Sequence, residues 1–106
     1  MKILVTSSGS NETSTLDSRF GRCSYFCIYD TKTGEKTFLA NPHKDDAGGA
    51  GPAAAQYVAS KGVQHVYSGD FGPKAKQVFD RLHIECHIFD SNEQTVEAFL
   101  LTLSSI

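Results

Sequence analysis

Apolar and polar positions divide the chain into eight short elements. Ile3, Leu4 and Val5 form a continuous apolar run that stops at Thr6-Ser7-Ser8-Gly9, the pattern of a strand covered on both faces and therefore central in its sheet. Residues 8–22 are rich in Ser, Asn, Thr, Asp and Gly and carry no helical period. A loop of that length is uncommon in a compact domain and is often functional. Residues 25–29 and 36–40 are strand-like runs joined by Asp30-Thr31-Lys32-Thr33-Gly34, which predicts a β-hairpin.

Asn41-Pro42-His43-Lys44-Asp45-Asp46-Ala47-Gly48-Gly49 interrupts that pairing. Pro52 suits the first position of a helix and Gly62 the C′ position, so a helix is predicted over 51–61, with a small-residue face of Ala53, Ala54, Ala55 and Ala59. Residues 63–67 form a β-type run. Phe71-Gly72-Pro73 then opens a second helix, in which Ala75, Val78, Phe79 and Leu82 recur at i, i+3, i+4 and i+7. Over 84–89, Ile84, Cys86 and Ile88 alternate with Glu85, His87 and Phe89. Ser91-Asn92-Glu93-Gln94 has the form of a capping box ahead of a third helix striped by Val96, Phe99, Leu100 and Leu103.

Strand-helix-strand alternation in the second half implies parallel strands with right-handed crossovers, and the hairpin implies one antiparallel strand. The expected class is α/β: a five-stranded mixed sheet in order 3-2-1-4-5, strand 2 antiparallel, with three main helices. The 106 residues read as a single domain, 1–106, without internal repeat or linker. Chain order reverses between strands 1 and 4, and ligands of open α/β sheets favour the crevice at such a switch point. Arg19, Arg22, Cys23, His43, Asp45, Asp46 and Asp70 are therefore expected to share one edge with the amino ends of the first two helices, where free N–H groups attract anions.

Composition narrows the function classes. An apolar fraction of 40% with only three prolines excludes a disordered chain. A net charge of −2 with scattered basic residues argues against a nucleic-acid partner. The three cysteines make neither a disulfide framework nor a zinc-finger spacing, and no run of eighteen apolar residues occurs; a cytoplasmic protein with no membrane association is expected.

Cys23 stands at a strand start beside two arginines, whose charge favours the thiolate that binds soft metals. It reads equally as a half-buried small residue. His43 is either a metal ligand or an exposed loop histidine, and His65, His83 and His87 read as solvated or locally hydrogen-bonded. Cys27 and Cys86 lie within strands and read as core. Gly49-Ala50-Gly51-Pro52-Ala53-Ala54 fits G-x-G-x-x-A but follows a polar loop after a hairpin strand, so no nucleotide is expected. The first strand offers no carboxylate for a two-metal hydrolase, and Asp30, Asp70 and Asp90 sit where aspartate is a normal turn residue.

Phe20-Gly21-Arg22, the strand start at Tyr25-Phe26, Asn41-Pro42, Gly48-Gly49-Ala50-Gly51, Gly72-Pro73-Lys74-Ala75 and Gln94-Thr95-Val96-Glu97, in that order, resemble the dinitrogenase iron-molybdenum cofactor biosynthesis family. The resemblance implies a three-layer ribonuclease-H-like fold and a non-catalytic carrier of an iron–sulfur or iron–molybdenum cofactor precursor, in the context of nitrogen fixation. Its partners would be cofactor-assembly or acceptor proteins. Arg19, Phe20, Gly21, Arg22, Cys23, Gly48, Gly49, Gly51 and Gly72 would form the binding site, with Cys23 and His43 as metal ligands. The family often has histidine where this chain has Arg19. A module that kept the fold and serves protein interaction or regulation, and a small enzyme acting on an anionic metabolite, are the alternative expectations. Oligomeric state is not legible.

Overall fold

A computed structural model of the chain describes residues 1–90 and 94–104. The elements are β1 (Lys2–Ser7), β2 (Tyr25–Asp30), β3 (Lys36–Ala40), α1 (Ala50–Ala59), β4 (His65–Ser68), α2 (Pro73–Arg81), β5 (Glu85–Ile88) and α3 (Val96–Ser104). They build one sheet in the order β3-β2-β1-β4-β5. β2 runs antiparallel to both β1 and β3, with Ser7 opposite Tyr25, while β4 is parallel to both β1 and β5. This is the expected topology.

Alternation along β1 decides the layers. Leu4 points into a core shared with Phe26, Val66, Ala54, Val58, Ala75 and Phe79, so α1 and α2 cover that face. Ile3 and Val5 point the other way, into a core with Cys27, Leu16, Val96, Phe99 and Leu100 beneath α3. With both faces covered, β1 is buried from Ile3 to Ser7.

Several local expectations shift. β1 extends to Ser7 because its polar end finds partners: the Thr6 hydroxyl donates to the Asp17 carbonyl and the Ser7 hydroxyl to the Gly9 carbonyl, 2.8 Å away. The buried face of α1 consists of Ala50, Ala54, Ala55 and Val58, so Val58 takes the place expected for Ala59, and Ala53 is only half-buried. β4 starts at His65, because Gly62 at φ 78° keeps the chain turning while Val63 enters the core as a loop residue. Leu82 is not part of the α2 stripe; it is the C-cap, 44% exposed, and His83 at φ 60° turns the chain away. There the Ile84 N–H donates to the Phe79 carbonyl at 2.9 Å. Ile84 and Cys86 face the α1/α2 core and Phe89 faces α3, whereas Ile88, on the edge strand, is 66% exposed. Of the expected capping box, Ser91, Asn92 and Glu93 lie outside the described residues.

The loop over residues 8–22 is irregular, as its composition implies, yet it is stitched down. Isolated bridges join Ser7 to Leu16, Thr15 to Thr95 and Arg19 to Asp70. Leu16 and Phe20, two apolar residues in a polar stretch, are the anchors, 2% and 1% exposed. The Phe20 ring lies 5.6 Å from Phe26, 5.5 Å from Phe71 and 5.2 Å, edge-on, from Phe79. Phe20→Ala is expected to lower unfolding stability by about 3–5 kcal/mol in a denaturant titration. Leu82→Ala, outside the core, is expected to stay within about 0.5 kcal/mol of the parent.

Candidate functional site

The crossovers out of β3 and β4 set the amino ends of α1 and α2 side by side, and these ends form a cleft of about 420 Å³. Its lining comes from Gly21-Arg22, from 49–52 at the start of α1, and from 72–75 at the start of α2. Gly49 and Gly72 are the N-cap residues, neither helix has a side-chain cap, and neither has an acidic residue in its first turn. The first N–H groups of a helix have no intrahelical acceptor. Pro52 and Pro73 carry none, so Ala50, Gly51, Lys74 and Ala75 hold the free donors of the two ends.

Glycine keeps the cleft open in two ways. Gly49 sits at φ 70°, which an L side chain rarely adopts, whereas Gly72 is extended (φ −65°, ψ 153°) and a Cβ there would meet nothing within 4 Å. Neither strain nor a clash demands glycine at 72; what it preserves is space and an uncapped helix. Gly21 is set by close approach, since a Cβ there would lie 3.0 Å from the Cα and N of Gly51. Gly48 borders open space beside Gly49.

Of the residues singled out in the sequence, Gly21, Arg22, Gly49, Gly51 and Gly72 line this cleft. Phe20 does not; it lies beneath the loop as a core residue. Arg19 bridges to Asp70 through the backbone, while its guanidinium turns to Asp17, with Nε 3.3 Å from Oδ1. That hydrogen bond and the nearby carboxylate charge raise the Arg19 pKa further.

Cys23 departs most from expectation. Its side chain is fully buried in the α1/α2 core, with Sγ 3.3 Å from the Phe20 carbonyl. Desolvation pushes its pKa up to about 12 and the Asp17 charge adds to the rise; the lowering by Arg19 is a lesser effect. Burial thus opposes the guanidinium-stabilised thiolate read from the sequence, and it outweighs the effect of a cation already paired with Asp17.

The loop after β3 is fixed by Asn41, which is 7% exposed. Its Nδ2 donates to the carbonyls of Gly21 and Cys23, both at 3.0 Å, and its Oδ1 accepts the His43 N–H at 3.0 Å. Arg22 binds the same loop from the other side, donating to the carbonyls of Lys44 (2.9 Å) and Asp46 (2.6 Å). His43 is partly exposed, with Nδ1 2.9 Å from Asp46 Oδ2. Asp45 makes no side-chain contact of this kind among the described residues.

A family model described as dinitrogenase iron-molybdenum cofactor matches residues 1–105. The chain belongs to that family. An uncharacterised protein of Methanocaldococcus jannaschii is 31% identical over 85 residues, covering 77% of this chain and 70% of the relative. Among solved structures, the apo form of the orange protein from Desulfovibrio gigas superposes with a TM-score of 0.90 at 30% identity, covering 98% of this chain and 87% of that one. A NifB-like protein from Thermotoga superposes with a TM-score of 0.83 at 29% identity, again covering 98% and 87%.

In this member of the dinitrogenase iron-molybdenum cofactor family the residues that carried the resemblance divide by physical role. Phe20 and Asn41 hold the frame, while Gly21, Arg22 and the two glycine-led helix starts line the cleft. Lys74 also lines the cleft, and its sequence signal is its place one residue after a helix-starting proline. Asp17 was missed altogether as the buried partner of Arg19, since aspartate in a polar loop carries no mark of burial. The state of Cys23 can be checked by thiol labelling of the folded protein near pH 8. Cys86, half-buried, is expected to react first, and Cys23 and Cys27, whose thiols burial pushes to about 12, only on unfolding.

Proposed function

We propose that the protein is a non-catalytic carrier that takes a preassembled, anionic iron–sulfur or iron–molybdenum cofactor precursor into the cleft between α1 and α2. The observation that carries this reading is the pair of uncapped helix starts facing one glycine-lined cleft, with glycine at 72 where neither strain nor packing requires it. Unpaired N–H groups and two helix dipoles favour negative charge, and Arg22 and Lys74 at the rim add to that field. Family membership supports this chemical class of cargo.

The donor set fits a cluster that brings its own sulfide ligands. No thiol lines the cleft, and Cys23 lies within the core, so the cargo is held by charge and N–H donors. His43, which the resemblance implies as a metal ligand, is not among the residues lining the cleft; its Nδ1 lies 2.9 Å from Asp46 Oδ2. Non-covalent holding suits delivery, because release then breaks no protein–metal thiolate bond. Partners would be the cytoplasmic proteins that build the precursor and accept it, in the setting of nitrogenase cofactor assembly.

Gly72→Asp separates binding from folding. The position already has the extended backbone of an N-cap, so aspartate is expected to cap α2 and raise stability by roughly a few tenths of a kcal/mol. The same carboxylate would occupy the donors and repel an anion. On anaerobic incubation with a synthetic iron–sulfur cluster, or with ferrous iron and tetrathiomolybdate, followed by absorption spectroscopy, the parent and Cys23→Ser are expected to take up the chromophore and Gly72→Asp to lose uptake. A parent that takes up nothing would leave the interaction-module reading in its place. Uptake abolished by Cys23→Ser alone, with Gly72→Asp unaffected, would move the site to the thiol.

A further inference from the structure

The face of the sheet turned toward α3, away from the cleft, carries a second constellation. β4 and β5 are parallel, with His65 opposite Glu85 and Tyr67 opposite His87. Tyr67 packs against the α3 core, so His65, two residues earlier on the same strand, shares its face, as Glu85 and His87 do on theirs. Sequence alternation already put Glu85 and His87 on one face; what it lacked was the register that sets His65 beside them.

Three ligand-type atoms converge there. His65 Nδ1 is 3.0 Å from His87 Nε2 and 3.3 Å from Glu85 Oε2, and His87 Nε2 is 3.6 Å from the same oxygen. An ion bound tetrahedrally through bonds of about 2.0–2.1 Å keeps its ligand atoms roughly 3.3–3.4 Å apart. The triangle therefore already has the size of one face of such a polyhedron.

The rings are fixed in place. His87 stacks on Tyr67 with centroids 4.4 Å apart and planes 16° from parallel, and Tyr67 in turn meets Phe99 of α3 edge-on at 5.6 Å. His65 stacks on the other ring neighbour, His87, at 5.2 Å. Ligands on two hydrogen-bonded strands lose little freedom on binding, which favours affinity. The histidine side chains are 25% and 35% exposed and that of Glu85 is 68% exposed, so the three ligand groups are open to an ion arriving from solvent.

We propose that His65, Glu85 and His87 form a site for one divalent transition-metal ion of the zinc class, independent of the cleft between α1 and α2. The two-nitrogen, one-carboxylate set selects the class. Magnesium and calcium take oxygen-rich shells, and copper(I) takes thiolate or thioether, whereas imidazole with one carboxylate suits zinc and its first-row neighbours. Three protein ligands with an open fourth position is the arrangement of reactive zinc sites, in contrast to the closed four-ligand sites that only hold a fold together.

The site is tested by isothermal titration of chelator-treated full-length protein with Zn²⁺ at pH 7.5, repeated with Co²⁺ while its visible absorption is followed. One ion per chain is expected, with the intense visible bands of low-coordinate cobalt. His65→Ala and His87→Ala should each weaken binding by at least roughly tenfold, in keeping with the cost of losing partners at metal sites. Circular dichroism checks their folding. Glu85→Gln, at a largely exposed position, supplies the same readout if either histidine variant fails to fold. Cys23→Ser, whose side chain is buried in the core beneath α1 and α2, should bind as the parent does. Absence of a stoichiometric ion, or affinity unchanged in Glu85→Gln and the folded histidine variants, would each overturn the assignment.

Discussion

Phe20 enters a pocket made by Phe26, Phe71 and Phe79, one aromatic ring from the hairpin and two from the α2 crossover. Because its ring is buried, the backbone that follows must run across the top of the sheet, and Gly21 then lies against Gly51 with no room for a Cβ. Upstream, the backbone of Ser18 crowds Gly69 so closely that a Cβ there would sit 2.6 Å away. Just before these two crossings, the buried Thr6 hydroxyl donates to the Asp17 carbonyl. One aromatic knob and two backbone approaches thus fix a loop that would otherwise be free, and with it one wall of the cleft. The dependence is geometric: cavity formation at Phe20 removes stability and also the constraint that sets the loop's distance from α1.

The electrostatics of this edge follow from what is paired. Arg19 is committed to Asp17, and Arg22 to two loop carbonyls, so neither guanidinium stands free beside Cys23. Buried among Phe20, Phe26 and the helices, the thiol packs as a small core residue, and desolvation favours its protonated form. The helix starts are left unpaired instead. Glycine at an extended N-cap costs a few tenths of a kcal/mol against aspartate or serine, and that cost falls at Gly72, whereas Gly49 has the left-handed backbone that favours glycine.

Much of the fold could be read from the chain. The apolar run Ile3-Leu4-Val5 marks a central strand, the Gly34 turn a hairpin, and Pro52 and Pro73 the starts of two helices, and these are enough to reach the sheet order and the switch-point edge. The site was legible only where backbone chemistry leaves a composition signal, as at Gly49, Gly51 and Gly72. Side-chain fate was not. Cys23 and Phe20 differ from surface residues only in which way a loop residue turns, and that depends on contacts with Phe71 and Phe79 some fifty residues away. Asn41 shows the same limit: next to proline it reads as a strand breaker, whereas in the structure its amide ties three backbone groups of the site.

The central claim is that the two helix starts act together as an anion site. It is tested most directly by a ¹⁵N-edited NMR titration of the folded chain with tetrathiomolybdate, a molybdenum–sulfur dianion. The account predicts saturable shifts largest at the amides of Ala50, Gly51, Lys74 and Ala75, with the amides of β4 and β5 unmoved. Saturable binding that leaves those four amides unshifted, or no saturable binding at all, would contradict it.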